Sequence, residues 1–217
     1  MKQKIVFLSL LLSLLFSQNA SAFCNSVSTR VYVTMNPGNV KYITTRSRDD
    51  FIRNIHTKHR ISPNTLGLTV ANLTIKGEAR PRVDRENNQI CVSIDSLSFK
   101  MGYDDLTVYI DKKYKPSTCE YKVIKAHENY HVKVAQQGMI FFKPDIERQI
   151  QKSLEKIRPQ IVTSEAEKEK VLEGQFQQIM DDLQPLIDHI NKVLAQKNYE
   201  IDTPESYEKT KALCQNW

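Results

Sequence analysis

The chain has 217 residues, with 31 Lys and Arg against 25 Asp and Glu, a formal net charge of +6 and 40% apolar residues. That length suits one domain of ordinary size with a core of its own. The basic excess is mild, and nowhere does it gather with aromatic side chains as a nucleic-acid surface would, so the reading is no nucleic acid among the partners.

In chain order, residues 1–22 read as a signal peptide. Lys2 and Lys4 make a short positive start, Ile5 to Phe16 is apolar apart from serines, and Ala20-Ser21-Ala22 places small residues at a cleavage point. The apolar run is shorter than the ~20 residues of a membrane span. Phe23 precedes Cys24 where a lipid-modification signal wants a small residue, so no lipid anchor is expected. Loss of two lysines and no acids lowers the charge of the mature chain, 23–217, from +6 to +4. No other stretch is long and apolar enough to cross a bilayer, so no membrane span is expected after cleavage. The expected location is periplasmic or secreted.

In such a compartment the four cysteines, Cys24, Cys91, Cys119 and Cys214, should form disulfides. Their spacings are too wide for a CxxC knuckle. The expected pairs are Cys91–Cys119, stapling a strand to a helix start, and Cys24–Cys214, tying the ends of the mature chain.

Residues 23–119 are β-rich. Thr29 to Thr34 alternates and is β-branched; Asn36-Pro37-Gly38-Asn39 is a turn cluster; Val40 to Thr44 is a second short run. Ser47 and Asp50 resemble a capping box and open a short helix through Phe51, Ile52 and Ile55. Leu66 to Ile75, Ile90 to Phe99 and Leu106 to Ile110 read as three further strands. Residues 120–217 are helical. Val123, Ile124, His127, His131, Val134 and Ala135 recur at helical steps, and Gly138 and Pro144 punctuate the end of that helix. Ile146, Ile150, Leu154, Ile157 and Ile161 mark a second helix. Ser164 with Glu167 caps a third, running to about Lys197, and Thr203-Pro204 starts a terminal one. The expected fold is α+β: a small, mostly antiparallel sheet packed on one helix of chemical interest, followed by a helical C-terminal half.

That helix carries His127-Glu128-Asn129-Tyr130-His131. Two histidines four residues apart project from one helix face and can ligate one zinc. The carboxylate of Glu128, directly after the first, can reach a water polarised by the metal without ligating the metal itself, and so can act as general base. A purely structural zinc would need four protein ligands and no such carboxylate.

The pentapeptide resembles the active helix of the zincin metallopeptidases. The layout of the mature chain is similar to a group of small, secreted, poorly characterised zinc-dependent peptidases. The shared features are a β-rich front, Cys119 shortly before the motif, and a helical tail with the stretch Tyr199-Glu200-Ile201-Asp202-Thr203-Pro204. The resemblance implies a single zincin-like domain, Zn2+ as cofactor, peptide or protein substrates, and a strand before the helix that pairs with an extended substrate.

A catalytic zinc takes three protein ligands. Gln137 stands where a metzincin has its third His, and Gln151 where a thermolysin-like Glu would lie. At ~100° per residue, Glu147 lies about 60° from the centre of the Ile146–Ile161 apolar face and Glu155 about 140° away. Glu147 is therefore the expected third ligand, with Glu155, Glu165 and His189 as alternatives. Tyr103, Tyr109 and Tyr114 precede the helix and could stabilise an oxyanion, but tyrosine in a strand or loop is more often packing, so none is assigned that role; His56 and His59 read as surface. The expected function is an exported zinc peptidase. The alternative is a non-catalytic envelope or binding protein.

Overall fold

The computed structural model describes residues 23–26, 28–54, 65–215 and 217. Residues 1–22, where a signal peptide is expected, and His56 and His59 lie outside these residues. The elements are strands β1 (Arg30–Asn36) and β2 (Asn39–Ile43), helix α1 (Arg48–Asn54), strands β3 (Gly67–Glu86) and β4 (Gln89–Ile110), helix α2 (Cys119–Leu154), strand β5 (Gln160–Val162), and helices α3 (Glu165–Ile201) and α4 (Pro204–Ala212).

The fold is α+β, and its five-stranded sheet is built around β4. One edge of β4 pairs along its length with β3, antiparallel. Along the other edge β5, β1 and β2 lie end to end, with β5 antiparallel and β1 and β2 parallel to β4. The sheet is therefore mixed, which corrects the expectation of a mostly antiparallel one. The reason lies in the 36–39 segment. Asn36 pairs with Gly102 and Asn39 with Asp105, so both strands advance by three residues across it. Pro37-Gly38 is a jog that lets the strand continue, not a reversal. The chain turns back in β3, so that β4 runs the same way as β1 and β2.

The β3–β4 hairpin joins what reads as three separate strands into two long ones. It closes on Asn87 and Asn88, with φ of 48° and 61°. Two successive positive φ angles are the signature of a type I′ turn, which asparagine tolerates. The Ser47–Asp50 cap forms as expected: Asp50 N–H donates to Ser47 Oγ at 3.2 Å, and Ser47 N–H to Asp50 Oδ2 at 3.2 Å.

Helix α2 does not end near Gly138 or Pro144. It runs unbroken for 36 residues, absorbing most of the expected second helix. Pro144 forfeits one backbone hydrogen bond. Met139, Phe142, Ile146 and Ile150, all buried, anchor the helix on both sides of it. Gly138 is there for close approach: a Cβ would come within 2.3 Å of the Leu194 side chain of α3. Gly138 faces Leu194, and Gln149 donates to the Asp182 carbonyl, so α2 and α3 run antiparallel. Leu97, Phe99, Leu106, Val108 and Ile110 from the sheet close one core with Ile124 and Ile146 of α2 and Ile179, Leu183 and Ile190 of α3. Burying side chains of this size contributes roughly 1.5–3 kcal/mol each.

The disulfides are Cys24–Cys91 and Cys119–Cys214. Both expected pairs are thus corrected. Cys91 is the third residue of β4, at the end of that long strand remote from α2's first turn, and Cys119 is the first residue of α2. Because the hairpin holds these two far apart, each takes a terminal cysteine instead. Among the described residues no helix is long and apolar enough to cross a membrane.

Candidate metal centre

Helix α2 starts at a fixed point: the hydroxyl of Thr118 accepts from the N–H of Tyr121 at 3.3 Å. Two turns later His127 and His131 project from one face, their rings 5.2 Å apart and nearly perpendicular. Both are buried, as is Glu128, which is 2% exposed. The ligand atoms of His127, Glu128 and His131 all lie within 4.8 Å of one another, a group that could hold a metal ion.

A fourth residue completes the cluster. Asp202 Oδ1 lies 3.0 Å from Nε2 of His127 and 3.0 Å from Nε2 of His131, and it accepts from the hydroxyl of Tyr207 at 2.8 Å. Asp202 caps the C-terminus of α3, its N–H bonded back to the carbonyls of Asn198 and Tyr199. Thr203 then caps α4, with Pro204 in its first turn. The carboxylate thus sits at a corner whose backbone is held from both sides. Asn198, one turn earlier on α3, places Oδ1 3.0 Å from Nδ1 of His131. With the Nδ1 proton held there, Nε2 is the atom left for a metal.

The donor set fits a small divalent cation. Four ligands at about 2.05 Å around tetrahedral zinc would be about 3.3 Å apart. The two 3.0 Å separations seen here are close to such edges. The cluster therefore offers two imidazoles and two carboxylates, those of Glu128 and Asp202.

Burial opposes the neighbouring partners at Glu128, His131 and Asp202. Burial raises the pKa of Glu128, against the lowering effect of both histidines and of the hydroxyl of Thr69, which donates to Oε2 at 2.8 Å. For His131 burial works downward, yet the Asp202 hydrogen bond, the charges of Glu128 and Asp202, and Asn198 together raise it to about 9. For Asp202 burial works upward and is outweighed by hydrogen bonds from His127, His131 and Tyr207, which hold the carboxyl well below its usual range. Tyr207 is pushed up by burial and by Asp202, so it keeps its proton and serves as a donor.

Glu147 is not in this cluster. It lies on the same unbroken helix sixteen residues beyond His131, about 24 Å along the axis, and pairs with Lys143. Glu155 caps the far end of α2, Glu165 pairs with Arg85 at the start of α3, and His189 packs against Phe142. None of these alternatives reaches the histidines. The expected break of α2 would have folded Glu147 back; the continuous helix carries it away. Asp202 lies in the 199–204 stretch, and its signal is positional: an acid between a helix end and a Thr-Pro helix start.

Tyr103 is buried in β4, with its hydroxyl pushed up to about 12 by that burial. Tyr109 packs on Phe51 and Tyr114 on Trp217. The tyrosine at the cluster is Tyr207, its ring 5.2 Å from that of His127. Gly67 is also part of the wall: a Cβ there would come within 2.8 Å of Glu128 Oε1 and 2.9 Å of the Tyr109 carbonyl. No family model, curated protein or solved structure matches the chain.

Proposed function

We propose that the chain is an exported zinc-dependent peptidase of the zincin kind, in which His127, His131 and Asp202 hold the metal and Glu128 is the general base. The observation that carries this reading is the convergence of both Nε2 atoms on Asp202 Oδ1 beside a buried, non-bridging glutamate.

Bound zinc would supply Lewis acidity toward a carbonyl oxygen and lower the pKa of a water. The protein does the rest. Thr69 holds Oε2 of Glu128, so Oε1 is the oxygen free to take a proton. Burial makes that carboxylate a stronger base than an exposed one, suited to accepting a proton and returning it to a leaving amine. Gly67 leaves room beside Oε1 that any side chain would fill. Asn198 and Tyr207 orient His131 and Asp202 through hydrogen bonds. The two disulfides support an oxidising location, periplasmic or secreted.

The same two-histidine, one-carboxylate set can bind iron(II), so metal identity is part of the test. Wild type and Glu128→Gln are purified from an oxidising host compartment, and metal content and peptide hydrolysis are measured on the same preparations. The expected result is about one zinc per chain in both, with hydrolysis at least ~100-fold lower in Glu128→Gln. Equal hydrolysis by the two would exclude the peptidase. Zinc without hydrolysis in either would favour a binding protein.

A further inference from the structure

The two disulfides serve different ends of the molecule. Cys24–Cys91 lies at the start of β4, seventeen residues before Val108, whose row of the sheet includes Thr69. That is about 55 Å along the strand from the metal centre. Cys119–Cys214 lies at the centre's own helix. Cys119 begins α2 eight residues before His127, and Cys214 follows α4 seven residues after Tyr207.

Helix α4 has little else to hold it. It has nine residues, and its buried side chains are Tyr207 and Thr210. Leu213, next to the disulfide, is 71% exposed. A helix shorter than ~12 residues does not persist alone in water. Yet α4 supplies the hydroxyl that holds Asp202 and the ring that lies against His127, and its cap is the residue after Asp202.

We propose that the Cys119–Cys214 disulfide is a latch that completes the metal centre, so that the chain gains its full metal affinity only after entering an oxidising compartment. This rests on the reading that His127, His131 and Asp202 hold the metal. In closing, the two thiols give two electrons and two protons to an acceptor disulfide, which leaves as a dithiol, and the Sγ–Sγ bond forms. Cys119 is exposed and can meet such a partner. Before closure α4 frays, Tyr207 leaves Asp202, and the corner carrying the carboxylate is free to swing from the histidines. A chain still in a reducing compartment would therefore be a poor metal binder and a silent peptidase.

The test compares full mature wild type with Cys119→Ser/Cys214→Ser and with Cys24→Ser/Cys91→Ser, by zinc titration and by hydrogen exchange over residues 203–215. The latch variant should exchange faster there and bind zinc at least ~10-fold more weakly, within the range seen when a ligand's support is lost. The Cys24/Cys91 variant should match wild type in both. Should the latch variant not fold, zinc-loaded wild type is treated with dithiothreitol, the opened bond is located by alkylation, and zinc release is followed with a chelator. Release faster by at least ~10-fold on opening Cys119–Cys214 is expected. Equal zinc affinity in both variants, or unchanged release, refutes the latch and leaves the metal reading intact. Wild type that takes up no zinc refutes the metal reading itself.

Discussion

Asp202 Oδ1 lies 3.0 Å from Nε2 of His131, although the two residues are 71 apart in sequence. The contact joins the end of α3 to α2 and brings Asp202, rather than Glu147, to the histidines. Replacing Asp202 with Asn keeps the shape and removes the charge. Zinc affinity should fall at least ~100-fold, while Glu147→Gln should leave it unchanged. Isothermal titration of the two variants checks both, and equal losses would reinstate Glu147.

Asn198 meets His131 at Nδ1, the ring nitrogen that does not face Asp202. Asn198→Ala should cost about 10–100-fold in zinc affinity with little change in the thermal midpoint. Asn198→Asp, which still accepts from Nδ1, should restore most of the affinity. A titration series over the three proteins decides it.

Metal uptake should release a proton. In the metal-free protein His131 titrates near 9, above its ordinary 6.5, so it is charged at neutral pH. A ligand must be neutral, so zinc displaces that proton. Apparent affinity should rise about tenfold per pH unit toward pH 9 and level off above it. Without metal the sign reverses. The His131–Asp202 contact contributes stability fully below pH 6.5 and loses it as pH rises through about 9. Calorimetry at pH 7.5 in buffers of different ionisation enthalpy should show about one proton released, and thermal scans of apo protein should show a falling midpoint from pH 7 to 10.

Gly67→Ala should separate chemistry from metal binding. The new Cβ meets Glu128 Oε1, a flexible end, but also the Tyr109 carbonyl, which is backbone. Relief requires Glu128 to turn and β3 to shift, at about 1–3 kcal/mol of stability. Hydrolysis should drop at least ~10-fold while zinc content stays at one per chain, since neither histidine nor Asp202 is touched. Loss of zinc in this variant would show that β3 positions the metal as well as the base.

Removing either disulfide should destabilise the fold by the same route, a less restricted unfolded chain. Cys119–Cys214 spans 95 residues and Cys24–Cys91 spans 67, so both restrict the unfolded chain to similar extent. Each loss should cost about 2–5 kcal/mol in chemical denaturation.

What could be read from the amino-acid sequence was local. The i,i+4 histidines with Glu128 follow from helical periodicity alone, and the caps at Ser47, Ser164 and Thr203 follow from side chains that satisfy open N–H groups within three residues. An even number of cysteines predicted disulfides, and the alternation from β to helical patterns near residue 120 predicted the α+β class.

What needed the tertiary structure was every relation between distant segments. Pro144 reads as a helix end because its own backbone loses a bond; only the packing of Phe142, Ile146 and Ile150 on sheet and α3 shows that the helix continues through it. That continuity carries Glu147 out of reach. Asn36-Pro37-Gly38-Asn39 reads as a turn cluster, and only the register on β4 shows that the chain runs on in the same direction. The cysteine partners and Asp202 depend on which chain ends the long hairpin and the antiparallel α2–α3 pair bring together. Pairing of that kind leaves no periodic mark in the sequence, because it is set by the summed packing of whole elements rather than by any neighbouring residues.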